Sequence, residues 1–205
     1  MSATAYYVFM LVWCYLLGSI PMGYVLLKAF KNVDIRTLGS GNIGMTNVWR
    51  VAGAPWGIAT LALDIAKGAL AIYVAKLYYE PEIDILVGAV GVLVGNLFPV
   101  YLRFKGGKGV GTSIGVFYSI VPLESAIATG AFFLVAFLTR MVSASSLVAV
   151  TVLAVVVGHR HGIGGSASTL AFLACLLVSW SHRSNVLRIL QGTENRIGKR
   201  KENPS

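Results

Sequence analysis

Residues 83–102 read IDILVGAVGVLVGNLFPVYL, and Asp84 is the only charged residue among them. A run of about 20 apolar residues is what a helix needs to cross a bilayer. The rest of the chain repeats the pattern. Of 205 residues 56% are hydrophobic and only 12% charged, and the mean hydropathy is +0.74. An average soluble domain carries about 25% charged residues, so one soluble core could not absorb this apolar excess. The length allows roughly six or seven spans and almost no domain outside the membrane. The expectation is an all-α, polytopic membrane protein forming a single domain over 1–205.

Outward from that run, the first helix is expected over Thr4–Leu27 with a kink at Pro21, where a proline removes a backbone donor. No basic segment precedes it, which favours a retained helix over a cleaved leader. A polar stretch rich in Gly, Asn, Ser and Thr follows from Lys28 to Gly53, then a second helix from near Pro55 to near Tyr78. A short acidic link, Tyr79-Glu80-Pro81-Glu82, leads into the quoted run. After a Gly-Lys stretch, Arg103–Gly111, the apolar segment Ile114–Thr139 is interrupted at Pro122-Leu123-Glu124. It reads as two short helices joined by a tight turn, with one kinked span as the alternative. Further helices are expected over Val142–Val157 and Ser168–Ser181, with a basic tail from His182 to Ser205. Cys14 and Cys175 lie in apolar runs and read as free thiols.

The net charge is +9. On a soluble protein that would suggest a nucleic-acid partner, but here the cations sit in loops, where they set topology. Seven helices with the N-terminus outside place Lys28, Lys31, Arg36, Arg50, Arg103, Lys105, Lys108 and Arg140 on the cytoplasmic side. The tail residues Arg183, Arg188, Arg196, Lys199, Arg200 and Lys201 join them there. Of the 17 Lys and Arg residues, only Arg160 then lies outside, with Lys67 and Lys76 inside the second helix. Six helices would split the tail from the Gly-Lys stretch. The charge bias therefore favours seven spans, a cytoplasmic C-terminus and three motif-rich segments on one face.

The first of these segments is Leu38-Gly39-Ser40-Gly41-Asn42-Ile43-Gly44-Met45-Thr46-Asn47-Val48-Trp49-Arg50. Closely spaced glycines let backbone N–H groups turn toward an anion. Ser, Asn and Thr add neutral donors, and Arg50 adds a bidentate phosphate partner. The second is Lys105-Gly106-Gly107-Lys108-Gly109-Val110-Gly111-Thr112, where backbone access and two lysines suit a phosphate and a following helix adds its dipole. The Walker spacing is absent and no strand precedes it, so nucleotide hydrolysis is not supported. The third is His182-Arg183-Ser184-Asn185, followed by Arg188 and Gly192-Thr193-Glu194. On a continued helix His182 and Asn185 share a face. Each segment also has a plainer reading: a polar loop with helix caps, a basic turn obeying topology, an interfacial histidine.

Asp64 and Lys67 stand three apart within the second helix. Charge inside a span costs roughly 2.5–3.5 kcal/mol per residue, so the two are expected to pair and face the bundle or a polar cavity. His159 and His161 near the outer end of a helix lack partners for zinc. There is no His followed four residues later by Asp in a cytoplasmic loop, and no paired-carboxylate metal site. Asp34, Glu194 and Glu202 are the only acids in the cytoplasmic segments. No metal and no cofactor is expected. A transporter for an anionic metabolite would suit the intramembrane Asp-Lys pair, but no inverted repeat is visible. A lipid-binding scaffold without turnover is the other rival.

At these three segments, in this order and over nearly the whole chain, the sequence resembles the bacterial acyl-phosphate:glycerol-3-phosphate acyltransferases, the PlsY family. Asp64-Ile65-Ala66-Lys67-Gly68 and Phe98-Pro99-Val100 also look like family sequence. Asn96 stands where many members carry His, and Gly111 where Ala is usual. The resemblance implies transfer of a fatty acyl group from acyl phosphate to the 1-hydroxyl of glycerol 3-phosphate. It implies lysophosphatidic acid and inorganic phosphate as products, and membrane lipids as surroundings. It also implies a multi-pass protein of the bacterial cytoplasmic (inner) membrane.

Within that resemblance Lys105, Gly107 and Lys108 are expected to bind the phosphate of glycerol 3-phosphate. Asn42, Thr46 and Asn47 are expected to hold the acyl phosphate beside Ser40 and Arg50. His182 and Asn185 complete a catalytic set with Ser40 and Arg50, and Glu194 braces the loops. Either His182 or the departing phosphate takes the hydroxyl proton. A covalent acyl-Ser40 species is a third possibility.

Overall fold

Pro21 decides the first departure from a straight rod. In the computed structural model, which describes residues 2–77 and 81–198, helix α1 (Ala3–Ser19) stops before it and α2 (Met22–Lys31) restarts at a bend of 44°. A proline offers no N–H to the preceding turn, so carbonyls at the end of α1 need other partners. Lys67 supplies them: its Nζ donates to Gly18 O (3.1 Å) and Ile20 O (3.0 Å). The first helix therefore reaches Lys31, four residues beyond its expected end. Its last stretch is amphipathic, with Leu27 buried and Lys28 and Lys31 exposed.

The polar stretch after it holds a helix that the sequence reading missed, α3 (Met45–Ala52). Then come α4 (Ala54–Lys76), with Pro55 in its first turn, and α5 (Pro81–Leu97). The expected interruption of the next segment falls at Val121, between α6 (Val110–Ile120) and α7 (Pro122–Thr139). α8 (Val142–His161) runs four residues past its expected end. α9 (Ser166–Ser181) is followed by α10 (Arg183–Leu190), bent 60° from it. His182 and Asn185 therefore do not sit on one continued helix: His182 is the corner and Asn185 lies in the first turn of α10. The expected Tyr79-Glu80 part of the acidic link and the tail cations Lys199, Arg200 and Lys201 lie outside the described residues, as does Glu202.

The protein is an all-helical integral membrane protein. Among the described residues, four rods are long and apolar enough to cross a bilayer alone: Ala54–Lys76, Glu82–Leu102, Pro122–Thr139 and Val142–His161. The two bent pairs bring the number to six. α6, at 11 residues, spans about 16 Å and is too short to cross by itself.

Contacts fix the directions of the rods. α5 runs parallel to α1, because Gly91 lies against Cys14 and Gly95 against Tyr15 and Ser19. It runs antiparallel to α4, because Gly88 faces Ala71 and Ala75 while Asn96 faces Lys67. α6 follows α4 in the same sense, with Gly111 against Asp64 and the Ser119 carbonyl on the Lys76 ammonium. A Cβ on Gly115 would strike the Ile65 carbonyl, so only glycine lets α6 lie this close to α4. α7 returns beside α8, where Glu124 meets Arg160 (2.8 Å) and His161 (3.1 Å). That pairing absorbs His161, and no group of three metal-ligating side chains occurs among the described residues.

The apolar core joins α1, α4, α5, α6, α8 and α9 through residues such as Cys14, Ile72, Val92, Phe117, Val157 and Leu170. A second cluster, Leu27, Ile35, Ile43, Val48 and Leu102, seats the polar stretch and α3 against the bundle. The alternation of rods brings residues 32–53, 98–109, 140–141 and 182–198 to one end.

Candidate active site

Three loops meet at that end. The Gly-Lys stretch sits on the end of α5, where Gly107 N–H donates to Asn96 O at 3.0 Å. A side chain on Gly106 would collide with the carbonyls of Asn96 and Leu97, which explains a glycine there. Ser181 Oγ donates to Lys108 O (3.1 Å), tying the stretch to the end of α9. Ile197 N–H donates to Arg140 O (2.7 Å), bringing the chain beyond α10 under the α7–α8 turn.

Asn47 organises the first segment. It is 2% exposed. Its Oδ1 accepts from Ser40 N–H (2.8 Å), and its Nδ2 donates to Leu38 O (3.0 Å) and Asn42 O (2.9 Å). Asn47 was expected to hold a ligand, but its amide is spent on the loop backbone and shapes it. Asn42 Oδ1 closes the turn onto Gly44 N–H (2.9 Å). The Ser40 and Thr46 hydroxyls and the Arg50 guanidinium make no hydrogen bond or ion pair among the described residues. All three line the cavity described below.

A relay runs through the second and third segments. Lys108 Nζ donates to Asn185 Oδ1 (2.6 Å), and Asn185 Nδ2 donates to Glu194 Oε1 (2.7 Å). An ammonium only donates and a carboxylate only accepts, so the Asn185 amide has one possible orientation. Glu194 also accepts from Ser143 Oγ (2.9 Å) and, through Oε2, from Arg188 Nε (2.7 Å). Burial would raise its carboxyl, but the hydrogen bonds from Asn185, Ser143 and Arg188 outweigh that and hold it below the usual range. Glu194, expected to brace the loops, bonds to Ser143 of α8 and to Asn185 and Arg188 of α10. Asn185, expected among the catalytic groups, is hydrogen-bonded at both ends of its amide, to Lys108 and to Glu194.

Lys108 has its ammonium pushed down to about 8, chiefly by burial, with Glu194 opposing and Arg188 and Arg50 adding to the fall. A bound phosphate dianion favours the charged form. Binding should therefore take up a proton at alkaline pH, and KM for a phosphate ligand on Lys108 should climb roughly tenfold per pH unit above about 8. Lys108→Arg, which stays charged, should lose that alkaline limb. Initial rates across pH 7 to about 10 check it.

His182 is 2% exposed. Its Nδ1 lies 2.8 Å from Val178 O. A carbonyl can only accept, so Nδ1 carries the proton and Nε2 offers a lone pair. Burial, reinforced by Lys108, lowers its pKa to about 4 despite the Val178 bond. The ring is therefore neutral at physiological pH.

Ser40, Asn42, Thr46, Arg50, Gly107, Lys108, His182, Asn185 and Glu194 all line one cavity of about 610 Å³. Lys105 does not: it is exposed and outside the cavity, and nothing in residue type or spacing ranks it below Lys108. Below the polar mouth the cavity continues between α6, α7 and α8, past Phe117, Phe132, Val150 and Leu153, with Ser125 and Ala128 deepest along α7. Ser125 and Ser146 return their hydroxyls to their own helix backbones, and Tyr118 Oη donates to Thr129 Oγ1 (3.0 Å), so this lower part is mostly apolar. Ser143 and Arg188, both in contact with Glu194, were not among the expected site residues. Nothing distinguishes Ser143 in sequence from the small residues of any membrane helix.

A cationic pocket that opens onto an apolar slot suits an anionic group carrying a long chain. A family model described as glycerol-3-phosphate acyltransferase matches residues 8–192. The chain belongs to the glycerol-3-phosphate acyltransferase family. A glycerol-3-phosphate acyltransferase of Desulforudis audaxviator (strain MP104C) is 41% identical over 192 residues, covering 91% of this chain and 93% of the relative. One from Sinorhizobium medicae (strain WSM419) is 41% identical over 191 residues, covering 93% and 92%. Among solved structures, that of PlsY (YgiH), an integral membrane glycerol 3-phosphate acyltransferase in its glycerol 3-phosphate form, superposes with a TM-score of 0.87. It is 31% identical and covers 94% of this chain and 96% of that one. A lysophosphatidic acid form of the same protein gives 0.85 at 30% identity. This acyltransferase thus shares the fold of PlsY along nearly its whole length.

Proposed function

We propose that this acyltransferase takes its acyl group from acyl phosphate and passes it to the 1-hydroxyl of glycerol 3-phosphate, releasing lysophosphatidic acid and inorganic phosphate. It does so as a seven-span protein of the bacterial inner membrane, with the N-terminus outside and the site toward the cytoplasm. The short α6, running with α4 and returned by α7, carries the chain back toward the outer side as the fourth pass although it is shorter than a full span. The single observation that carries the reading is the cavity itself. Its mouth is lined by Lys108, Arg50 and Arg188, and its floor is mostly apolar. Two phosphoryl groups can be neutralised at the mouth while a fatty chain lies below. A transporter would place its polar groups near the midplane, whereas here they gather at one end.

Acyl phosphate is a mixed anhydride, so the donor arrives activated and no metal or cofactor is needed. Lys108 and the Gly107 backbone hold the acceptor's phosphate. Ser40, Asn42, Thr46 and Arg50 hold the donor's. The acceptor oxygen attacks the carbonyl carbon, the bond from that carbon to the phosphate oxygen breaks, and the hydroxyl proton leaves with phosphate. Neutral His182, with Nε2 as acceptor, orients the hydroxyl. A covalent acyl-Ser40 intermediate is not required.

His182→Gln and His182→Ala should therefore lose about 100-fold or less in kcat, since only orientation is lost. General-base removal typically costs 10²–10⁴-fold, and a fall of four orders of magnitude or more would assign the proton to His182. The functional reading is tested with purified protein in detergent. Phosphate should be released from acyl phosphate only when glycerol 3-phosphate is present, and neither acyl-CoA nor acyl carrier protein should replace the donor. Turnover with acyl-CoA alone as donor would overturn it.

A further inference from the structure

Asn96 lies at the end of α5 with its two amide atoms facing different surroundings. Its Oδ1 accepts from Lys67 Nζ at 2.7 Å. Lys67 is 2% exposed and is ringed by oxygens: Gly18 O, Ile20 O, Asn96 Oδ1 and, at 2.8 Å, Asp64 Oδ1. Surrounded by acceptors, the Lys67 ammonium can only donate. The Asn96 amide is thereby fixed, oxygen toward Lys67 and NH₂ away from it.

The NH₂ side points at the Gly-Lys stretch. A Cβ on Gly107 would lie 3.4 Å from Asn96 Nδ2, so the nitrogen sits beside the open face of that glycine. Asn96 lines the same cavity as Gly107 and Lys108. Nδ2 makes no hydrogen bond among the described residues, although Asn96 is 6% exposed. Nδ2 is open to the cavity and keeps its donors free there, and a ligand oxygen seated on Gly107 would accept from it.

We infer that Asn96, oriented by Lys67, is a further binding residue for the phosphate of glycerol 3-phosphate, its Nδ2 donating to an oxygen held over Gly107 beside Lys108. The inference rests on the assignment of the acceptor phosphate to the Gly-Lys stretch. The Asp64–Lys67 pair then does more than close the break at Pro21, since it also sets which end of the Asn96 amide meets the substrate.

Two substitutions separate substrate binding from structural anchoring. Asn96→Asp keeps an acceptor for Lys67 but replaces the donor beside Gly107 with a carboxylate oxygen. Asn96→Ala removes both. The backbone bond from Gly107 to Asn96 O survives in each. KM for glycerol 3-phosphate and for acyl phosphate, kcat, and direct glycerol 3-phosphate binding by calorimetry are measured on folded protein in detergent. Asn96→Asp should raise KM and Kd for glycerol 3-phosphate at least tenfold, more than Asn96→Ala does, with kcat and the acyl phosphate KM changed less than threefold. An Asn96→Asp enzyme near wild type beside an impaired Asn96→Ala would reduce Asn96 to an anchor for Lys67 and overturn the proposal. So would an effect confined to the acyl phosphate KM. Direct binding separates the two claims: wild-type protein that binds glycerol 3-phosphate while Asn96→Asp does not supports this site even if acyl phosphate proves not to be the donor.

Discussion

Lys108→Met is expected to raise KM for glycerol 3-phosphate roughly 100-fold or more while leaving the fold intact. Lys108 holds its ammonium 2.6 Å from Asn185 Oδ1 at the cavity mouth. A phosphate bound against Lys108 would form a hydrogen-bonded charge pair with it; truncating one partner of such a pair costs about 2–5 kcal/mol, and each 1.4 kcal/mol is tenfold. Methionine fills the same space without charge, so the loss reports electrostatics rather than packing. Burial has already lowered the ammonium's pKa to about 8, which leaves the charge poorly solvated in the free enzyme and favours a phosphate arriving to compensate it. KM for acyl phosphate should move far less, because Ser40, Thr46 and Arg50 lie on another segment. Equal effects on both substrates would contradict the division of the two phosphates between the two loops.

Glu194→Ala is expected to abolish measurable turnover and to lower thermal stability together. The carboxylate takes hydrogen bonds from Ser143, Asn185 and Arg188. Without it Asn185 loses the anchor that aims its Oδ1 at Lys108, and the mouth keeps its cations with no carboxylate among them except Asp64, which is paired with Lys67. Breaking a buried ion pair costs about 3–5 kcal/mol. The loss here should lie toward the low end, because Arg188 is 35% exposed and partly screened. Glu194→Gln, which keeps an acceptor for Ser143 and Asn185, should recover part of both properties. The carboxyl's pKa is held below its ordinary value. Its stabilising contribution is therefore complete above about pH 4.3 and is lost only as pH falls through the lowered value. Melting curves in detergent alongside activity check this. A Glu194→Ala protein with wild-type melting and KM would show that the relay positions nothing.

The membrane character was legible because hydropathy acts over long blocks, and the run at 83–102 alone is long enough to state it. The three polar segments were legible because glycines, lysines and asparagines at that density do not arise from helix packing. α3 was not legible: Met45–Ala52 is short, and its stability comes from Val48 packing beside Leu27 and Ile35, contacts made by residues distant in sequence. The bend at His182 was missed for a similar reason, since α10 continues a helical pattern and only its packing turns the chain. Among the site residues, type alone separated neither Lys105 from Lys108 nor Asn47 from Asn42. Which lysine faces a cavity and which amide is spent on backbone are tertiary facts. Asp64 and Lys67 were expected to pair, and they do, but the four oxygens around Lys67 come from three helices and could not be read from spacing.

A structure with glycerol 3-phosphate and a hydrolysis-resistant acyl phosphonate bound together tests the central claim most directly. Both ligands are expected in the single cavity: the acceptor's phosphorus beside Lys108 and Gly107, its 1-hydroxyl toward His182 Nε2, the phosphonate beside Ser40 and Arg50, and the chain between α6, α7 and α8. Either ligand seated outside that cavity, or the two held at opposite ends of the bundle, would contradict it.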